Sequence, residues 1–379
     1  MNYAPVVDEI FSQIRGVNFA VHLWDGKKLK YGTGPEKDFT LILEDEHTAK
    51  RLLSQGALGF GESYMDGRLR LEGDLEAYLK LRHQFKAIKP SVRLATASFL
   101  ASRSMLKETK DQISYHYDIG NDFFKLILDH KTMSYSCGRY LTGKESLDSS
   151  QQNKIQMVCD WLNVPLGAKI LDLGCGWGGF ATFAAKKYQW QITSYTLSQQ
   201  QFAYCKKRLA AESLSKYIKL QYRDMLLDLP KQQFDAIVML ESIEHVGKAR
   251  LESFVKQLYE RLRPGGVLYI QTTGRYQPKP PDAWTLKYVF PGGYLPSQQQ
   301  LVSAASAAGF QLRKFVDDTP DYILTLTEWI RRLESNRRVI EDMFDPTVYR
   351  LWELWMHGAK VAFEVHSMGL FRIELRKPE

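Results

Sequence analysis

Cysteine is scarce. Only four occur among 379 residues (Cys137, Cys159, Cys175 and Cys205), widely spaced and without a Cys-x-x-Cys pair. That spacing excludes a disulfide framework or a thiolate zinc site and argues for a reduced intracellular chain with no metal centre. Long apolar runs are missing too, since none approaches the ~18 residues that a bilayer-spanning helix needs. The first residues carry Asp8, Glu9 and Arg15 among apolar ones, so they lack the apolar core of a secretory signal. Zinc-finger spacings and RNA-binding signatures are absent, and so are internal repeats and low-complexity tracts. A net charge of +8 therefore does not by itself mean nucleic acid, and an anionic lipid surface satisfies it equally well.

Apolar residues are present in quantity. A hydrophobic fraction of 44% with 12% aromatics supports a sizeable core, and the length suits one large domain plus a smaller one. Residues 1–82 carry β-like stretches at Val17–Leu23 and Phe39–Leu43, a helical stretch at Glu46–Gln55 and a glycine-rich run at Gly56–Gly67. They read as a small α+β domain. Residues 83–110 form a basic connector (Lys86, Lys89, Arg93, Arg103, Lys107, Lys110) with apolar residues interleaved. It suits either a membrane-surface segment or a linker helix packed on its own protein.

From residue 111 to 379 strands alternate with helices. The strands are Ala168–Asp172, Gln191–Tyr195, Ile218–Tyr222, Phe234–Leu240, Val267–Thr272 and Phe310–Val316. This is the rhythm of an α/β domain with a doubly wound, Rossmann-like parallel sheet. Leu370–Arg376 alternates apolar residues with charges and reads as an edge strand. Two amphipathic stripes, Trp329–Phe344 and Val348–Phe363, read as a helical lid over the sheet.

The stretch Ile170-Leu-Asp-Leu-Gly-Cys-Gly-Trp-Gly178 organises this domain. A short buried strand runs into glycines at every second position, and a helix pattern follows at once. That arrangement brings backbone N–H groups and a helix N-terminus close to a ligand. A dinucleotide site wants a carboxylate about 20 residues after the first glycine. Here the region reads Ile192-Thr-Ser-Tyr-Thr-Leu-Ser198, without one. Thr196 and Gln201 offer hydrogen bonds to a ribose, or belong to a polar helix cap led by Ser198. Asp224 is placed to accept from an adenine amine, or to sit in a loop salt bridge. Cys175 has neither base nor metal partner in the motif and reads as a buried spacer. Glu241 and Glu244, three apart after the fourth strand, share a face if a helix begins there.

Six words carry a family resemblance: His116-Tyr-Asp-Ile-Gly-Asn-Asp-Phe-Phe124, Tyr135-Ser-Cys137, Leu171–Gly179, Thr196-Leu-Ser-x-x-Gln201, Glu241-Ser-Ile-Glu-His-Val-Gly247 and Tyr288-Val-Phe-Pro-Gly-Gly-Tyr-Leu-Pro296. Together the chain resembles the cyclopropane-fatty-acyl-phospholipid synthases and their mycolic-acid-modifying relatives. The resemblance implies a class I methyltransferase sheet and S-adenosylmethionine as methyl donor. It implies cofactor contacts at Tyr135, Ser136, Asp172, Gly174, Gly176, Gly178, Thr196, Gln201 and Asp224. It further implies an active-site bicarbonate ion held by Cys137, Glu244 and Tyr322. The substrate implied is an unsaturated acyl chain of a membrane phospholipid, met at the inner membrane by a peripheral cytoplasmic enzyme. The sequence is compatible with a homodimer, and residues 1–110 look like the smaller lipid-engaging domain of phospholipid-acting members.

One word departs from the pattern. The fifth strand usually ends His-Thr-Ile and here reads Gln271-Thr-Thr, an amide that can donate to an anion but cannot shuttle a proton. A remodelled anion site opens a second outcome, a methyl- or methylene-branched chain without ring closure. A lipid-binding protein with a vestigial cofactor loop is the non-enzymatic alternative, and the intact set Asp172, Gly174, Gly176, Glu244 and Tyr322 argues against it.

Overall fold

The computed structural model describes residues 2–89, 91–108 and 119–379. The chain forms two compact units, and their boundaries do not simply follow the sequence. One unit joins the described N-terminal residues to 282–291 and 334–361; the other comprises the described parts of 118–281, 292–333 and 362–379.

The first unit carries a mixed four-stranded sheet of β1 (Phe19–His22), β2 (Lys28–Tyr31), β3 (Phe39–Leu43) and β4 (Leu69–Gly73), in the order β2-β1-β3-β4. The helix Glu46–Gln55 begins where Asp45 accepts from the Thr48 N–H. Glycine disfavours helix, yet Ala57–Met65 is helical. Its glycines serve close approach instead: a Cβ on Gly59 would lie 2.2 Å from the Arg51 carbonyl oxygen, and one on Gly61 2.2 Å from the Trp284 ring. Most of the basic connector is the helix Val92–Glu108, which buries Leu94, Ala97 and Ala101 and leaves Val92 exposed.

The second unit is built on a seven-stranded sheet. In chain order its strands are β5 (Lys169–Leu173), β6 (Gln191–Thr196), β7 (Ile218–Tyr222), β8 (Phe234–Leu240), β9 (Leu262–Gly274), β10 (Gln311–Asp317) and β11 (Gly369–Arg376), arranged β10-β11-β9-β8-β5-β6-β7. The strands β5 to β9 run parallel, and β11 is antiparallel to both of its neighbours. The central strands are apolar on both faces, as parallel strands covered by helices must be. Alternate residues serve opposite layers. Leu171, Leu173, Ile237, Met239, Leu268 and Ile270 pack with Phe254, Leu258 and Leu301. Ile170, Ile192, Ala236, Val238 and Tyr269 pack with Ile155, Val158, Ala181 and Ala184. The doubly wound, Rossmann-like sheet expected from the sequence is therefore present.

The edge-strand expectation for Leu370–Arg376 is corrected. β11 lies between β9 and β10, and nearly all of it is buried. Its alternating charges are not a solvent face. Arg372 is fully buried and pairs with Asp318 and Asp321. Glu374 meets Lys314 at 3.1 Å and Arg376 at 3.5 Å. Paired charges can be buried where lone ones cannot. The Trp329–Phe344 stripe is also two helices, Thr319–Ser335 and Arg337–Met343, broken at Asn336. The first belongs chiefly to the sheet-bearing unit, whereas 337–361, most of the expected lid, belongs to the other.

Candidate active site

The parallel register sets the carboxyl ends of β9, β8, β5, β6 and β7 side by side, the edge at which doubly wound sheets bind ligands. β5 ends in Asp172 and Leu173, and Gly174, Gly176 and Gly178 follow at φ +82°, +54° and +78°. Side chains rarely adopt that region. The glycines divide the work. A Cβ on Gly174 would stand 2.5 Å from that of Ser242, whereas one on Gly176 would meet nothing within 4 Å. Gly174 is thus required by packing, and Gly176 faces open space. The Tyr195 carbonyl ties the loop to β6 by accepting from the N–H groups of Gly174 (3.1 Å) and Cys175 (2.9 Å). Beneath it Asp172 is 2% exposed and accepts from the Ser194 hydroxyl at 3.2 Å. Burial pushes its carboxyl up to about 7. The neighbouring Cys205 thiol and burial push the Cys175 thiol up, the opposite of what a nucleophile needs.

At the end of β6 the Thr196 hydroxyl donates to the Gln201 side-chain oxygen at 2.8 Å. Ser198 caps the helix Gln199–Ala211 by accepting from the Gln201 N–H. Both residues therefore belong to a helix start, with Gln201 oriented by Thr196. After β7 the Asp224 carboxylate accepts from the Leu226 N–H at 2.8 Å and shapes a turn, while its neighbour Arg223 pairs with Asp228.

Beside the loop lies a cluster drawn from distant parts of the chain. Glu241 follows β8 at φ +54°, a left-handed conformation unusual for a branched-free but bulky acid. Its Oε1 accepts from the Cys137 N–H at 2.7 Å and from the Gln271 amide at 2.8 Å, and its Oε2 accepts from the Tyr322 hydroxyl at 2.6 Å. Gln271 is fully buried; it also donates to the Cys137 carbonyl at 3.1 Å and accepts from Arg372 Nε at 3.0 Å. Because a guanidinium only donates, it fixes which end of the amide faces Glu241. Arg372 donates in turn to the Gly138 carbonyl at 2.6 Å, and Thr325 accepts from the Gly138 N–H at 3.0 Å. Burial and Glu241 push the Tyr322 hydroxyl up, and burial pushes the Cys137 thiol well up. Cys137 therefore contributes its backbone, not a thiolate.

Glu244 does not share a helical face with Glu241, because only the single turn Ile243–His245 forms and Glu241 precedes it in a left-handed conformation. Glu244 is 4% exposed and accepts from the Thr273 N–H at 2.8 Å. Its other carboxyl oxygen has no hydrogen-bond partner among the described residues. Burial, with Glu241 adding, pushes it up to about 8.

An aromatic file joins the loop to this cluster. Ring centroids lie 4.9 Å apart for Trp177–Phe124, 5.3 Å for Phe124–Tyr135, 5.1 Å for Tyr135–Trp329, 6.2 Å for Trp329–Tyr322 and 4.5 Å for Tyr322–Phe363. Behind Tyr135 a fully buried lysine, Lys154, donates to the Ser136 hydroxyl at 2.8 Å, and burial lowers its amine to about 8.

The fold thus gathers Cys137, Gln271 and Tyr322 on one carboxylate, and Glu244 belongs to the same strand ends. Tyr135 and Ser136 flank the cluster on the loop side. Sequence reasoning missed Lys154, Arg372, Asp318, Asp321 and Thr325. The only available signals were charges inside the otherwise apolar β11 and a lysine within an amphipathic helix. The histidine–tyrosine–aspartate word at 116–118 lies outside the described residues.

Two outcomes follow. Gly176→Val should abolish S-adenosylmethionine binding in calorimetry, because a branched side chain would fill the open space and strain φ; unchanged affinity would refute the loop's role. Glu244 has its carboxyl raised in the folded state, so the stability it confers is fully present below the unfolded value and is lost as pH rises. Compared with Glu244→Gln, the parent protein should lose stability between about pH 4.5 and about 8. Denaturant midpoints measured across that range check it, and a constant difference would contradict it.

Comparison with known proteins places the chain in a family. The family model described as mycolic acid cyclopropane synthetase matches residues 104–373. A domain of unknown function matches residues 6–87. A probable fatty acid methyltransferase of Pseudomonas putida is 31% identical over 94% of this chain and 91% of its own. The cyclopropane-fatty-acyl-phospholipid synthase of Escherichia coli K12 is 33% identical over 86% of this chain and 84% of its own. Among solved structures, mycolic acid cyclopropane synthase CmaA1 in complex with SAH and CTAB superposes with a TM-score of 0.65 at 26% identity, covering 70% of this chain and 97% of that one. The chain belongs to the mycolic acid cyclopropane synthetase family of S-adenosylmethionine-dependent methyltransferases.

Proposed function

We propose that the protein transfers a one-carbon unit from S-adenosylmethionine to the cis double bond of an unsaturated acyl chain in a membrane phospholipid, closing a cyclopropane ring. The observation that carries this reading is the aromatic file from Trp177 to Tyr322, which joins the glycine loop to the carboxylate of Glu241. An alkene that takes up a sulfonium methyl becomes a carbocation. Ring faces and carboxylates stabilise that charge, and walls that exclude water keep it from being trapped.

The residues present fit the cofactor. Gly176 leaves open space beside a left-handed backbone, and the helix Gly179–Tyr188 starts just after it. Asp172, Gly174, Gly178, Thr196, Gln201 and Asp224 stand along the same edge, with Tyr135 and Ser136 on the facing side. When bound, S-adenosylmethionine supplies the electrophilic methyl group. Trp177, Phe124, Tyr135 and Tyr322 supply ring faces between the loop and the Glu241 carboxylate, to which the Tyr322 hydroxyl donates. Bicarbonate fits less well. The donors that the resemblance assigns to it, the Cys137 N–H and the Tyr322 hydroxyl, already converge on Glu241 together with the Gln271 amide.

The Pseudomonas and Escherichia relatives are named for a fatty acid and a fatty-acyl phospholipid, and the net charge of +8 suits a surface of anionic headgroups. Among the described residues no helix is long and apolar enough to cross a membrane, which suits a peripheral enzyme. A second reading, a methyl- or methylene-branched product, is favoured by Gln271 at the position where the family pattern has an imidazole.

One experiment separates them. Cells expressing the protein are fed methionine carrying a fully deuterated methyl group, and their lipids are analysed by mass spectrometry. A cyclopropane should retain two deuterons and resist mild hydrogenation. A methylene branch retains two and is reduced, and a methyl-branched alkene, formed when the cation loses a chain proton instead, retains three and is reduced. Unlabelled acyl chains would sink the functional reading and leave the lipid-binding alternative.

A further inference from the structure

The geometry points to Glu241 as a base built into the protein, occupying the place of a bound anion and accepting the proton that the new methyl group must lose. The inference rests on the functional reading above and deepens it at the same site.

Three features carry it. First, donors from three separate elements converge on one carboxylate: the Cys137 N–H and the Gln271 amide on Oε1, and the Tyr322 hydroxyl on Oε2. A carboxylate offers about four lone-pair sites. Three are taken, and the fourth, on Oε2 beside the Tyr322 ring, is left to receive a proton. Second, the backbone at Glu241 adopts φ +54°. A glycine would sit there without strain, so the carboxylate is retained at a conformational cost. Third, the groups around the cradle match a tethered anion. Gln271 donates to Glu241 only because Arg372 holds its oxygen, and the Glu241 N–H binds the Gln271 carbonyl at 2.7 Å, locking acid and amide together. Asp318 and Asp321 hold the guanidinium.

The step balances. Transfer of the methyl group to one alkene carbon leaves a cation on the other. A C–H bond of the transferred methyl group breaks, its electron pair closes the third C–C bond onto the cation, and the proton goes to Oε2 of Glu241. Water takes that proton after the product leaves. A diffusible ion is thereby replaced by a side chain, and Gln271 needs no proton of its own to move. The same base serves a methylene branch if a hydride shift moves the cation first.

The test uses the full-length protein, S-adenosylmethionine and vesicles of unsaturated phosphatidylglycerol, in CO2-free buffer and in the same buffer with added bicarbonate. The parent protein should turn over equally in both. Glu241→Gln should lose about 100-fold or more in kcat, the scale of general-base catalysis, and stay inactive with bicarbonate, because its amide fills the cradle. Glu241→Gly relieves the left-handed strain at this position and should lose a similar factor without bicarbonate. It should recover at least tenfold when bicarbonate enters the vacated cradle. Calorimetry should give all three the same S-adenosylmethionine affinity. A parent enzyme that requires bicarbonate, or a Glu241→Gln variant keeping more than a tenth of its turnover, overturns the inference while leaving lipid methylation intact. Absence of methylated lipid from the parent in both buffers removes the functional reading and this inference with it.

Discussion

A buried guanidinium ties together the sheet-bearing unit around its candidate site. Arg372 is fully buried in β11 and must be surrounded by acceptors. It finds them in Asp318 and Asp321 at the start of the helix Thr319–Ser335, in the Gly138 carbonyl and in the Gln271 side-chain oxygen. Removing one partner of such a buried set typically costs ~3–5 kcal/mol, because the remaining charge is left uncompensated. The set therefore specifies arrangement as well as stability. It places β11 inside the sheet, brings the helix carrying Tyr322, Thr325 and Trp329 onto the Tyr135–Cys137 segment, and orients the amide that meets Glu241.

Electrostatic character changes along the site in a way that suits the chemistry. At the loop end the Asp172 carboxyl is raised to about 7 by burial, and the Gly176 backbone faces open space. At the far end Glu241 is held by three donors while Glu244 is raised to about 8. The two carboxyl groups have different surroundings, one gathering three donors and the other buried with one oxygen unpartnered among the described residues. Aromatic faces lie between these ends. They attract positive charge without reacting with it, a combination suited to a transient cation on an acyl chain.

Local signals were legible in the sequence where one short stretch carries the whole constraint. The loop 170–178 is written in its glycines because each needs a left-handed backbone. The cap at Ser198 and the helix Glu46–Gln55 are equally local. The buried β5 and β8 announce themselves as largely apolar runs. Convergence was not legible. Glu241 sits 104 residues from Cys137 and 81 from Tyr322, and no periodicity records that they meet. β11 misled for a physical reason: alternation of apolar and charged residues looks the same whether the charges face water or one another. The Gln271 departure was visible, but its meaning required knowing that a carboxylate from β8 stood opposite.

The central claim is that a side chain of this protein fills the anion cradle at the sheet edge. Titrating the purified protein with 13C-labelled bicarbonate and following its carbon resonance tests this most directly. The account predicts no saturable bicarbonate site in the parent protein, with one appearing in Glu241→Gly. Saturable binding of the ion to the parent would contradict it.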